Sequence, residues 1–351
     1  MTKYTFIQNK NEFVEGFGSL FQREILAYIL CLFYKKKFLR TKLFFNKHIN
    51  RNLGEISKFN NLFNFLGKKN LKVIANKEIK QYQKIQYNKK TLSYNIPFEK
   101  KQDYLEDIKK FSEIKYLKKN QVYNIPFKVS LDFLKNLKKI ESKKIFLRFR
   151  KNFWSVHKKM KNEKVTTIVI HLRCYRKNID NGGFQTFMYQ FFNLDYGLPN
   201  YNTYYFTKLY VSLIKNIIKE NKLNKKQIKI ILCSTGTKKT FFDIAFKLSK
   251  LGKFYLHINK SDFNTFKKML NADHLILSHS SFSYVASFIN EGKKYIRNNF
   301  RHPLPQDVKV VRDYEILDIS YLNYFYYVVL EITFILKLKI SNRFKSFFFN
   351  Y

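Results

Sequence analysis

The chain has 351 residues, enough for two domains with cores of their own, and 45% of it is hydrophobic. Three scattered cysteines exclude a disulfide framework or a cysteine-based zinc module and fit a reducing compartment. The net charge of +42 points towards acidic partners, but only 11 of the 67 basic residues are arginine, and Lys is accompanied by abundant Asn, Ile, Phe and Tyr, which A- and T-rich codons enrich together.

The first 45 residues read as a strand (KYTFIQ), a glycine-bearing turn (EGFGS), a helix from about Leu20 to Tyr34 and a second short strand. The opening residues are polar and acidic where a secretory signal needs an apolar core, and the apolar run Ile25 to Tyr34 is about half a bilayer span. Residues 46–160 are Lys/Asn-rich and read as a helical insertion in an N-terminal domain covering 1–160. They contain an echo with a period of 29 residues, YNIPFEKKQDYLEDIKKF (94–111) and YNIPFKVSLDFLKNLKKI (123–140). Each copy predicts an extended entry at Pro97 or Pro126 running into a short amphipathic helix.

From 164 to 300 apolar runs alternate with helical ones: VTTIVIHLR, a helix near 204–222, IKIILCS, a helix near 239–251, KFYLHI, a helix near 263–270, HLILS and a helix near 282–290. That alternation predicts a parallel α/β sheet covered on both faces, in a domain spanning 161–312. The tail 313–351 includes the apolar stretch Tyr321 to Ile340, interrupted by Glu331, which predicts a buried or interface-lying helix. Its basic, aromatic end RFKSFFFNY suits peripheral membrane contact, so a cytoplasmic or membrane-peripheral location is the expectation.

Ligands of parallel α/β sheets sit beyond the carboxyl ends of the strands. There the chain places His171 and Arg173 with Arg176 and Lys177, then Ser234, Thr235, Gly236 and Thr237, then Ser261 and Asp262, then Ser280, Ser281 and Ser283. Arginine, small hydroxyls and helix amino termini together make a phosphate-binding surface. The Gly16–Gly18 turn lacks the third glycine of a dinucleotide fingerprint and the lysine of a P-loop.

Three segments together resemble the fucosyltransferase superfamily of α-1,2- and α-1,6-fucosyltransferases and protein O-fucosyltransferases. GFGSLFQ resembles its amino-terminal glycine motif, His171-Leu172-Arg173 its His-x-Arg strand end, and ADHLILSHSSFS its carboxyl-terminal Ser-Ser-Phe block. The resemblance implies a GT-B-like fold of two Rossmann-like domains facing a cleft. It also implies metal-independent, inverting transfer from GDP-fucose to a glycan or glycoprotein hydroxyl, with no cofactor. Arg173 is then the catalytic cation on the departing diphosphate. Donor binding falls to Gly16, Phe17, Gly18, Ser19, His171, Asp262, Ser280, Ser281 and Phe282. Cys174 follows Arg173 where several members have a second arginine, so Arg176 or Lys177 would supply the second charge. Asp180, Asp195, Glu12 and Glu15 are all open as general base. Ser283-Tyr284-Val285 departs from the Ser-Trp-Trp of many α-1,2 enzymes. The competing readings are a basic RNA- or membrane-associated protein with a non-catalytic core, and a degenerate GDP-binding relative.

Overall fold

The computed structural model describes residues 6–9, 17–38, 53–68, 106–117, 122–158, 165–172, 204–235, 241–278, 280–297, 302–312 and 315–316. They fall into two compact units, Met1–Lys158 and Lys159–Tyr351. Among the described residues no helix is long and apolar enough to cross a membrane.

The first unit is built on a parallel four-stranded sheet of β1 (Phe6–Asn9), β2 (Lys37–Phe38), β3 (Glu106–Asp107) and β4 (Val122–Ile125), in the order β2-β1-β4-β3. Helix α1 (Phe17–Phe33) buries every residue from Glu24 to Leu32, as a helix apolar on nearly all sides must. The run opens on a carboxylate, since Glu24 is only 3% exposed. Around α1 lie α2 (Leu53–Leu62), α3 (Phe65–Lys68), α4 (Phe127–Asn136) and α5 (Lys139–Trp154). Aromatic rings fill the space between them. Phe21 stacks on Phe63 at 4.1 Å, Tyr28 meets Phe38, Phe65 and Phe149 edge-on, and the Asn152 amide donates to the Tyr28 hydroxyl (3.2 Å).

Two local expectations are corrected. Helix α1 starts at Phe17, so Gly18 and Ser19 lie in its first turn and not in a loop before it. A glycine is tolerated there because the first N–H groups of a helix have no intrahelical partner to lose. The second copy of the echo forms the expected extended entry, Pro126 cap and amphipathic helix α4, and at the end of the first copy the chain is strand where the second is still helical. Glu106–Asp107 pair in parallel with Tyr123–Asn124, the Ile108 amide donates to Asn124 O (2.9 Å), and a 3₁₀ turn follows at Phe111–Tyr116. Segment 46–160 therefore contributes two strands to the sheet as well as helices. Residues 94–105 of the first copy lie outside the described residues.

The second unit carries the parallel sheet expected over 164–300, extended by two further strands. In chain order these are β5 (Thr166–His171), α6 (Tyr204–Glu220), β6 (Ile228–Ser234), α7 (Phe242–Ser249), β7 (Lys253–Ile258), α8 (Asp262–Leu270), β8 (His274–Leu277), α9 (Ser281–Ile289), β9 (Lys293–Arg297) and β10 (Val308–Val311). All six strands are parallel, in the order β10-β9-β8-β5-β6-β7. Counted from β5 this is 3-2-1-4-5-6, the doubly wound order, and it reverses between β5 and β8. One face of the sheet packs Ile168, Ile170, Ile230, Leu232 and Ile276 against Leu209, Leu213, Ile214 and Ile217 of α6 and Ile244 and Leu248 of α7.

At the amino edge of β8, His274 is buried, with its ring stacked on Tyr295 and Nδ1 3.3 Å from the Tyr295 hydroxyl. Burial, with Lys293 nearby, pushes its pKa down to about 4. The unfolded chain therefore binds a proton that the folded chain refuses between pH 6.5 and 4. The stability this neutral ring contributes is complete above 6.5 and is lost as pH falls through that window. His274→Phe keeps the ring without the titration. Urea unfolding midpoints of the variant are expected to fall less steeply than wild type between pH 6.5 and 4, and parallel curves would refute this.

Candidate functional site

Strands β5 and β8 are neighbours, and the strand order reverses between them, so the place beyond their carboxyl ends is the one where doubly wound sheets take ligands. His171 closes β5 on one side of it, and Ser278 follows β8 on the other. The His171 Nδ1 and Ser278 Oγ are 2.7 Å apart, and both residues are buried. This bond ties the ends of the two switch-point strands together and fixes the imidazole orientation.

The relay continues into α9. Ser283 Oγ donates to Ser278 O (2.9 Å) and Ser280 O (3.2 Å) and lies 3.3 Å from Ser278 Oγ. Ser280 is the helix cap, its hydroxyl accepting from the Phe282 amide at 3.2 Å, and Ser281 is the first helical residue. The three serines of SSFS thus have different tasks. Ser280 starts the helix, and Ser283 folds its hydroxyl back onto the entering turn. Ser281 stands in the first turn, where α-helical N–H groups and the helix dipole favour an anion. Ser287 is likewise bonded back to Tyr284 O (2.6 Å), which lets so hydroxyl-rich a helix be buried.

Phe282 links the strand ends to the next helix, its ring 5.8 Å from His171 and 5.3 Å from Phe266 of α8. Asp262 is exposed in the first turn of α8, four residues before Phe266, and the cap of that helix is Ser261, whose hydroxyl accepts from the Asn264 amide at 3.2 Å. At the end of β6, Ser234 is buried and donates to Thr235 O (3.2 Å), while Thr235 is exposed. Cys233, beside His171 in the ladder, is buried, and its thiol is pushed up to about 12 by that burial, which rules it out as a nucleophile at neutral pH.

The structure thus brings His171, Ser280, Ser281 and Phe282 together, with Asp262 on the adjoining helix. Gly18 and Ser19 belong to the other unit, where Gly18 is buried and Ser19 half-buried. Arg173, Arg176, Lys177, Gly16, Glu12, Glu15, Asp180 and Asp195 lie outside the described residues, as does the tail read as a membrane contact. Sequence reasoning does not single out Ser278, although its place directly after the HLIL strand is a signal that can find it. Among the described residues no group of three His, Cys, Asp or Glu side chains is placed to hold a metal ion.

No family model and no curated protein sequence matches the chain. Among solved structures it is similar to a crystal structure of POFUT1 in complex with GDP, at 12% identity and a TM-score of 0.35, covering 83% of this chain and 95% of that one. It is also similar to a crystal structure of POFUT1 in complex with GDP-fucose, at 9% identity and a TM-score of 0.35, covering 83% of this chain and 94% of that one. The doubly wound order of the sheet described above stands on this chain's own strand pairings.

Proposed function

We propose that the chain is a glycosyltransferase that moves fucose from GDP-fucose to a glycan or protein hydroxyl by direct displacement with inversion. The observation that carries this reading is the switch point, where His171 of β5 is bonded to Ser278 at 2.7 Å beside the capped amino terminus of α9. A switch point is where doubly wound sheets take nucleotides, and the first-turn N–H groups of α9 suit a diphosphate. The same residues carry the sequence resemblance, which supplies the sugar nucleotide. His171 and Ser278 hold the wall of the site, Ser280 and Ser281 face the diphosphate, and Phe282 anchors the turn. Arg173, two residues beyond His171, neutralises charge on the departing GDP, with Arg176 or Lys177 as the second cation. Gly16 to Ser19 and Asp262 are the remaining donor-binding residues on this reading.

Calorimetric titration of the full chain with GDP and GDP-fucose at moderate salt tests this. Saturable binding of both, followed by consumption of GDP-fucose in the presence of a glycan panel, is the expected result. Binding without turnover would reduce the chain to a GDP-binding relative, and RNA binding with no GDP response would overturn the reading altogether.

A further inference from the structure

We propose that the outer face of α5 docks on an anionic lipid surface. This helix has two apolar faces. Ile145, Phe146, Phe149 and Phe153 are buried in the first unit, whereas Ile140 and Leu147 are 71% and 54% exposed on the other side. Ile140, Leu147 and Trp154 follow one another at intervals of seven, so they fall on one line that drifts by only about 20° per step. Trp154, part-exposed, ends the line.

The stripe is flanked by Lys143, Lys144, Arg148 and Lys151, all exposed, against the single carboxylate of Glu141 on that face. An apolar line ending in tryptophan and bordered by long cationic side chains is the pattern of a helix lying in a membrane interface. The apolar side chains enter the acyl boundary while the cations meet anionic headgroups. Charge complementarity selects this occupant: four cations to one carboxylate on the docking face, in a chain of net charge +42.

The protein carries its own probe, because Trp154 is its only tryptophan. Emission from the full chain is expected to shift to the blue with phosphatidylcholine vesicles containing roughly one-third phosphatidylserine. It should also be quenched by brominated acyl chains and stay unchanged with phosphatidylcholine alone. Lys143→Gln with Lys144→Gln should weaken partitioning roughly 25-fold, about fivefold for each charge removed. Ile140→Glu with Leu147→Glu should abolish it; both pairs are exposed, and an unchanged thermal midpoint confirms folding. Sedimentation with vesicles that leaves Trp154 emission unmoved places the contact in the tail and overturns the proposal. So does a Trp154 response to RNA with none to vesicles, or equal binding of wild type and the charge variant.

Discussion

On the proposed GDP-fucose reading, Arg173→Ala is expected to lower the transfer rate at saturating donor by roughly 100- to 1,000-fold, the usual consequence of removing one preorganised group that meets charge developing in the transition state. The residue follows directly on Leu172, whose amide donates to Cys233 O (2.9 Å) and so carries the strand hydrogen bonding one step past His171. On the GDP-sugar reading, GDP carries more negative charge on its terminal phosphate than the bound donor does. The arginine therefore acts more on departure than on donor binding, and kcat should fall further than KM rises. Arg173→Lys keeps the charge but loses the two-pronged fork, and a smaller loss is expected from it. Initial rates of GDP release check both variants. Transfer within about threefold of wild type in Arg173→Ala would remove the residue from the mechanism and leave Arg176 or Lys177 as the cation to test.

The second unit was legible because continuous apolar strands and amphipathic helices alternate there, and each pattern carries its own period. Strands β9 and β10 were missed for a physical reason. KKYIR and VKVV carry lysines that the sequence presents as surface charge, yet Lys294 is 1% exposed, donating to Asn290 O and Gly292 O and paired with Asp307 at 2.7 Å. The carbonyls of the turn before β9 and the carboxylate just before β10 made that lysine a core residue. The switch point itself is made by β8 returning to pair with β5 across more than a hundred residues, so it could be expected but not located from sequence. Similarly, β3 is only Glu106–Asp107 and β4 only Val122–Ile125, and what places them in the first sheet is pairing of β4 with β1 across more than a hundred residues. In the site, SSFS was readable as a cap, while the bond from His171 to Ser278 spans 107 residues and needed the fold.

The corner that holds β8, and with it Ser278, leads to the second large effect. Asn290 is fully buried, and its Nδ2 donates to Met269 O (2.9 Å), Leu270 O (3.1 Å) and Ala272 O (2.8 Å), closing the carboxyl end of α8 at the point where β8 begins. Two residues on, a Cβ at Gly292 would stand 2.4 Å from Ala272 O and Asp273 O, so backbone packs on backbone there. Asn290→Ala takes the amide donor from Leu270 O and Ala272 O and leaves Met269 O to a long bond from the Ala272 amide (3.4 Å), and it is expected to cost about 2–4 kcal/mol. Its Oδ1 is buried with no hydrogen-bond partner, so the alanine variant also sheds one unsatisfied acceptor, which keeps the loss from being larger. Asn290→Asp has the same shape but sets a carboxylate against three carbonyl oxygens, and it should be the more destabilised of the two at neutral pH. It should recover in part as acid protonates the carboxyl and restores a donor. Urea unfolding of the two variants at neutral and mildly acidic pH reads this order directly. An aspartate variant as stable as the alanine one at neutral pH would mean that the amide is not what holds α8 to β8.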